Sequence, residues 1–219
     1  MDSPGLLVFD WDGTLSDSLA RIVECLQISA RDRGLLAPDD AAGREVIGLG
    51  LGEALAALFP ELDSTELGAL RESYSRHYTT LDREPAPFYP DVLDTLAALR
   101  DEGFVLAVAT GKSRRGFDRV VEGHGLRGFF HASRCADETA SKPDPLMLRQ
   151  LLDELSFEAG EALMVGDTEF DMAMAVSAGV PRLGVSYGAH HPSRLEPYGL
   201  LGCLDRFGEL RRILEQQGG

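Results

Sequence analysis

The sequence predicts an α/β fold in three layers: a parallel sheet with helices on both faces, and an all-helical domain inserted near its start. Three observations carry this. From about residue 91 onward, short apolar runs alternate with stretches of helical periodicity, the pattern of strands buried in a parallel sheet. A matching apolar run, Leu6-Leu7-Val8-Phe9, opens the chain. The stretch between them, residues 16–85, has helical spacing and no strand-like run.

The elements follow in order. After the first strand, Asp17 to Arg33 reads as a helix, with Leu19, Ile22, Val23, Leu26 and Ala30 on one face and Ser16 or Asp17 as N-cap. Helical pattern runs again from about Arg44 to Phe59 and from Ser64 to Leu81. Glu84-Pro85-Ala86-Pro87-Phe88-Tyr89-Pro90 then breaks any helix and reads as a stiff linker. Beyond it come a helix (Asp91–Glu102), a strand (Phe104–Ala109), a helix to about Gly123 and a short strand (Phe129–Ser133). A helix (Pro145–Leu155), a strand (Ala162–Val165), a helix (Phe170–Ala178), a strand (Pro181–Ser186) and a last helix (Phe207–Gln216) complete the pattern. The domains expected are therefore 1–15 with 86–219 as the α/β core, and 16–85 as the helical insertion.

Composition narrows the function. The 219 residues suffice for one sizeable domain with a smaller one attached, and 44% hydrophobic content is ordinary for a folded protein. A net charge of −15 repels phosphate backbones, so no nucleic-acid partner is expected. Cys25, Cys135 and Cys203 are scattered, which fits neither a disulfide framework nor a zinc site. No signal-peptide pattern opens the chain, and no run approaches the roughly 18 apolar residues of a membrane span. The expectation is a soluble, cytoplasmic protein without a membrane partner. Nothing in the sequence speaks to oligomeric state.

The chemistry lies at strand ends, where open α/β sheets bind ligands. The first strand delivers Asp10-Trp11-Asp12-Gly13-Thr14. Asp-x-Asp-Gly by itself is often only a turn. An EF-hand starting at Asp10 is excluded, because its sixth and twelfth positions hold Leu15 and Arg21 instead of glycine and glutamate. The second strand ends in Thr110-Gly111, and the third in Gly166-Asp167-Thr168 with Asp171 beyond. A parallel sheet brings these ends to one edge, and four crowded carboxylates there call for a cation. All-oxygen ligands with few carboxylates suit Mg²⁺. Asp10 and Asp167 are the expected direct ligands, Asp12 adds its backbone carbonyl, and Asp171 holds a metal-bound water or a lysine. That lysine is Lys142, one of only two in the chain, where every other basic residue is arginine. A lysine used so sparingly points to a need for a compact point charge. The Thr110 hydroxyl and Gly111 N–H are placed to hold phosphoryl oxygens.

Asp10-Trp11-Asp12-Gly13-Thr14, Thr110, Lys142 and Gly166-Asp167-x-x-x-Asp171 resemble, in order, the four motifs of the haloacid dehalogenase-like hydrolase superfamily. The helical insertion resembles the cap of its phosphoglycolate phosphatase-like branch. The resemblance implies a Mg²⁺-dependent phosphatase for a small phosphorylated metabolite, whether phosphoglycolate-like, a sugar phosphate or a nucleotide. Asp10 would be the nucleophile, Asp12 the acid–base, and Thr110, Gly111 and Lys142 the phosphate-binding residues. Dehalogenases of the superfamily lack the second aspartate, so Asp12 argues against that activity. Residues 16–85 contain no lysine, which disfavours the phosphonoacetaldehyde hydrolases and lowers the prospect of a β-phosphoglucomutase-type mutase. That mutase and a non-catalytic binding protein are the alternatives. One departure stands out: Gly111 occupies a position where many phosphoglycolate phosphatases have asparagine.

Other motifs yield less. Ala109-Thr110-Gly111-Lys112-Ser113 is not a P-loop, since the required upstream glycine is Leu106. Gly48-Leu49-Gly50-Leu51-Gly52 follows no strand; it reads as a loosened helix facing the site. Arg21, Arg44 and Arg76 in the cap are candidates for a substrate carboxylate, although such arginines usually face water. His190 and His191 read as surface loop residues.

Overall fold

The computed structural model describes residues 5–81 and 84–217. Its strands are β1 (Leu6–Phe9), β2 (Val105–Thr110), β3 (Ala132–Cys135), β4 (Ala162–Gly166), β5 (Arg182–Val185) and β6 (Cys203–Leu204). They form one parallel sheet in the order β3-β2-β1-β4-β5-β6. Phe9 at the end of β1 is level with Val108 of β2 and Val165 of β4, so the ends of these three strands lie side by side. The strand order reverses at β1, the place where such sheets open a crevice.

Strand periodicity builds the layers. Leu7 and Phe9 enter one core with Val92, Leu96 and Leu99 of α5 (Val92–Asp101), Phe117 of α6 (Arg114–Gly123) and Leu210 of α10 (Leu210–Gln217). Leu6 and Val8 point the opposite way, into a core with Met147 and Leu151 of α7 (Leu146–Leu155) and Met174 and Ala175 of α8 (Glu169–Ala178). Both faces of β1 are sealed, which explains its unbroken apolar sequence.

The inserted helices are α1 (Leu19–Asp32), α2 (Asp40–Glu45), α3 (Leu51–Leu58) and α4 (Ser64–Leu81). They surround their own core of Leu26, Ala30, Val46, Ala54, Leu55, Phe59 and Leu70. The outgoing and returning chains are pinned together where the Asp17 N–H donates to the Pro87 carbonyl at 2.8 Å and the Tyr89 N–H to the Leu15 carbonyl at 3.0 Å. No described helix is long and apolar enough to cross a membrane.

Several sequence expectations are corrected. The helix expected over 44–59 is split into α2 and α3, because Gly48 takes φ +102° in a turn between them. The strand expected at Phe129–Ser133 forms instead at Ala132–Cys135. Phe129 and Phe130 contact each other edge to face, and Phe130 contacts Trp11 at 6.1 Å between ring centroids, so their apolar character serves packing rather than a sheet ladder. The N-cap of α1 is Ser18, not Ser16 or Asp17, whose backbone N–H groups hold the turn and the return crossing. The short helix α9 (Pro192–Leu195) and β6 were not foreseen, being too brief to show a period.

Candidate active site

Hydrogen bonding carries β1 one residue beyond its last strand position. The Asp10 N–H donates to the Val165 carbonyl at 3.0 Å, which fixes the Asp10 backbone between β1 and β4. Gly13 then turns the chain with φ +90°. From this turn the Thr14 hydroxyl donates to Asp167 Oδ1 at 2.7 Å, and the Ala189 N–H donates to Asp167 Oδ2 at 2.8 Å.

Lys142 reaches the same place from the loop before α7. Its ammonium is fully buried and donates at 2.6 Å to both Asp10 Oδ1 and Asp171 Oδ1. The other Asp171 oxygen accepts from the Thr168 N–H at 3.0 Å and the Thr168 hydroxyl at 2.7 Å, closing a capping box at the start of α8. Asp10, Asp167 and Asp171 each bring a carboxylate oxygen within 4.8 Å of the others. The two expected carboxylate ligands, Asp10 and Asp167, lie together in this cluster, and Asp171 joins them while holding Lys142.

This cluster has the charge of a cation site. Three buried carboxylates face one ammonium, an imbalance of two negative charges that a divalent ion would cancel. Burial pushes Asp10 well above the ordinary carboxylate range, and Lys142 only partly counters it. Burial, reinforced by the Asp171 charge, raises Asp167 to about 7. Asp10 Oδ2 is buried with no hydrogen-bond partner. An unsatisfied carboxylate oxygen in a dry, over-negative cluster suits a hard cation, so the residues fit Mg²⁺.

Asp12 is held separately. The Ser18 hydroxyl donates to its Oδ1 at 2.5 Å, and Lys112 Nζ lies 3.0 Å from the same oxygen. Lys112 also donates to Tyr78 Oη of α4 at 2.9 Å. Burial opposes the Lys112 charge, but Asp12 and Tyr78 outweigh it and the net shift is upward. Sequence reasoning did not place Lys112 in the site, although its rarity as one of two lysines was the available signal. Thr110 is fully buried, its hydroxyl oxygen accepting from the Lys112 N–H at 3.2 Å.

The glycine run 48–52 is not a loosened helix. A Cβ on Gly48 would sit 2.9 Å from the Thr168 hydroxyl, and one on Gly111 would sit 2.5 Å from the Leu49 carbonyl. The Gly50 N–H donates to the Ser141 hydroxyl at 2.7 Å. This segment thus docks on three loops of the core that carry site residues. Gly111 leaves room for it where an asparagine would collide.

A cavity of about 530 Å³ lies between cap and core, reached by Asp10, Asp12, Gly111 and Lys112 from below and by α1, α3 and α4 from above. Arg76 lines it; Arg21 instead donates to the Glu84 carbonyl at 2.9 Å, and Arg44 is exposed outside it. His190 is buried rather than on the surface, accepting from the Glu169 N–H at 3.2 Å, and it does not line the cavity. His191 is exposed and caps α9.

The haloacid dehalogenase-like hydrolase family model matches residues 7–185, from β1 through β5. The chain belongs to the haloacid dehalogenase-like hydrolase family. It is 35% identical over 219 residues to a phosphoglycolate phosphatase of Rhodospirillum rubrum, covering 96% of this chain and 89% of that protein. A phosphoglycolate phosphatase of Vibrio cholerae is 33% identical over 199 residues, covering 87% and 88%. A hydrolase from Pseudomonas syringae superposes with a TM-score of 0.88 at 21% identity, covering 98% and 99%, a likeness that speaks to fold alone. Within the family this haloacid dehalogenase-like hydrolase falls in the phosphoglycolate phosphatase-like branch with a helical cap, and it is a phosphatase whose buried aspartate cluster is consistent with Mg²⁺ use.

Proposed function

We propose that the chain hydrolyses a small phosphate monoester through an aspartyl-phosphate formed on Asp10. The observation that carries this is the state of the Asp10 carboxylate: Lys142 fixes Oδ1 at 2.6 Å, while buried Oδ2 has no hydrogen-bond partner. Lys142 orients the carboxylate of a residue that lines the cavity, and no described group uses the Oδ2 lone pairs, as a carboxylate nucleophile needs.

The Asp10 carboxylate attacks phosphorus and the ester oxygen leaves. Asp12, oriented through Oδ1 by Ser18 and Lys112, donates a proton to that oxygen. It then takes a proton from the water that releases phosphate, a role typically worth about 10²–10⁴ in rate. Lys142, Thr110 and the Gly111 N–H bind the phosphoryl oxygens. Mg²⁺ would be held by Asp10, Asp167 and the Asp12 carbonyl, where it would supply positive charge to neutralise the phosphoryl oxygens. Asp171 anchors Lys142. Residues 16–85 act as the cap domain over a core of 1–15 and 86–219, of which 1–4, 82–83 and 218–219 lie outside the described residues. The soluble cytoplasm is the proposed location.

Phosphate release tests the reading on a panel containing 2-phosphoglycolate, sugar phosphates and nucleotides, with Mg²⁺ and with EDTA. Turnover that needs Mg²⁺ and disappears in Asp10→Asn is expected. Turnover that survives in Asp10→Asn would overturn the assignment of the nucleophile.

A further inference from the structure

The cavity above Asp10 and Asp12 has a chemistry that selects among phosphate esters. An apolar part of its cap side, made by Ile22, Leu26, Ile47, Leu49, Tyr74 and Tyr78, merges with the apolar core of the cap, while α4 also brings Arg76 and polar side chains to the lining. Tyr74 and Tyr78 are stacked, with ring centroids 5.7 Å apart and planes inclined by 23°. No charged side chain lines the cavity from residues 22–54. Its lining arginines come from α4 and α6: Arg76, Arg115 and Arg119. Arg119 already donates to the Thr79 hydroxyl at 2.9 Å and lies 5.7 Å from the Tyr78 ring centroid. Lys112 is committed to Asp12 and Tyr78.

A two-carbon acid fits this cavity badly. Its carboxylate would reach the arginines on the α4 and α6 side and leave the aliphatic wall uncovered. Its volume would also leave most of about 530 Å³ unfilled, a size in the range of roughly 300–1,000 Å³ that holds much larger ligands. An apolar ring would instead fill the space, cover the aliphatic wall and meet the stacked tyrosines.

We infer that the preferred substrate is the phosphate ester of an alcohol bearing an uncharged, apolar ring, and not of a short hydroxy acid. This rests on the phosphatase reading above. The ester oxygen lies at Asp12 and the ring extends toward Tyr74.

The test uses the wild-type chain with Mg²⁺ and three esters of primary alcohols: 2-phenylethyl phosphate, ethyl phosphate and 2-phosphoglycolate. The first two differ only by the ring, so their kcat/KM ratio isolates its contribution. The expected result is a kcat/KM for 2-phenylethyl phosphate at least about tenfold above both others, equivalent to about 1.4 kcal/mol. In Leu49→Asn and Tyr74→Ala that ratio should fall toward one. Equal or better turnover of 2-phosphoglycolate would overturn the inference and leave the phosphatase intact. No hydrolysis of these esters or of any in the wider panel would remove the phosphatase reading, and this inference with it.

Discussion

Lys112 joins Tyr78 of the helical cap to Asp12 of the core: its ammonium donates to Tyr78 Oη at 2.9 Å and lies 3.0 Å from Asp12 Oδ1. The group assigned to protonate the leaving alcohol is therefore oriented by a residue that also contacts the cap. Replacing Lys112 with methionine keeps much of the buried stem and removes the charge. The expected effect is on kcat rather than KM, a loss of at least about tenfold from the roughly 10²–10⁴ that acid–base catalysis contributes. Tyr78→Phe, which loses only the hydroxyl, should do less. Steady-state kinetics of both variants decide this, and an unchanged kcat in Lys112→Met would show that Asp12 needs no such support.

Gly111 and Leu49 meet at a distance that excludes a side chain. A Cβ at 111 would lie 2.5 Å from the Leu49 carbonyl and 2.8 Å from the Gly48 carbonyl, both backbone atoms that cannot rotate away. Gly111→Asn should push the cap segment off the core. Its expected signature is a drop in kcat/KM of about tenfold or more, consistent with the sensitivity of catalysis to small misplacements. Wild-type kinetics in this variant would contradict the close fit.

The glycines of the run differ sharply, and two substitutions separate them. Gly48 has φ +102° and packs on Thr168, so Gly48→Ala should destabilise by about 1 kcal/mol or more. Gly52 is the second residue of α3 and has open space around it. Gly52→Ala should stabilise, by less than the helix-interior gain of about 0.5–1 kcal/mol because the position lies in the first turn. Urea denaturation measures both, and equal responses would refute the distinction.

The carboxylate cluster links stability to pH and to Mg²⁺. Asp10 and Asp167 titrate above the ordinary carboxylate range, Asp167 at about 7. Because the folded state binds these protons more tightly than the unfolded chain, the associated stability is fully present below about pH 4 and fades as pH rises through 7. Mg²⁺ offsets the repulsion that remains. Thermal melts should therefore show a Mg²⁺-over-EDTA gain in Tm that is small near about pH 5 and larger near about pH 8. Asp167→Asn should flatten that difference. A larger gain at the acidic end would contradict the assignment.

The sequence made the chemistry legible where it was local and the packing obscure where it was not. Leu6–Phe9 could be read as a buried strand because both of its faces are covered, and Asp10 and Asp12, the residues proposed to react, then follow at its end. Lys142 was recognisable because the chain otherwise uses arginine almost throughout. The same signal marked Lys112, but its partner Tyr78 is 34 positions away across the cap boundary, and no spacing rule connects them. Gly48 and Gly111 likewise have meaning only against distant neighbours, Thr168 for Gly48 and the Gly48 and Leu49 carbonyls for Gly111. Phe129 and Phe130 misled the strand assignment because apolar residues that pack beneath a loop look the same in sequence as those in a ladder.

Trapping the covalent intermediate tests the central claim most directly. The chain with Mg²⁺ would be mixed with a phosphorus-labelled ester, quenched rapidly in acid and digested, and the labelled peptide identified. The expected result is acid-stable, hydroxylamine-sensitive label on the peptide carrying Asp10, accumulating further in Asp12→Asn because release of phosphate is slowed. Label on another residue, or hydrolysis with none at any time point, would contradict it.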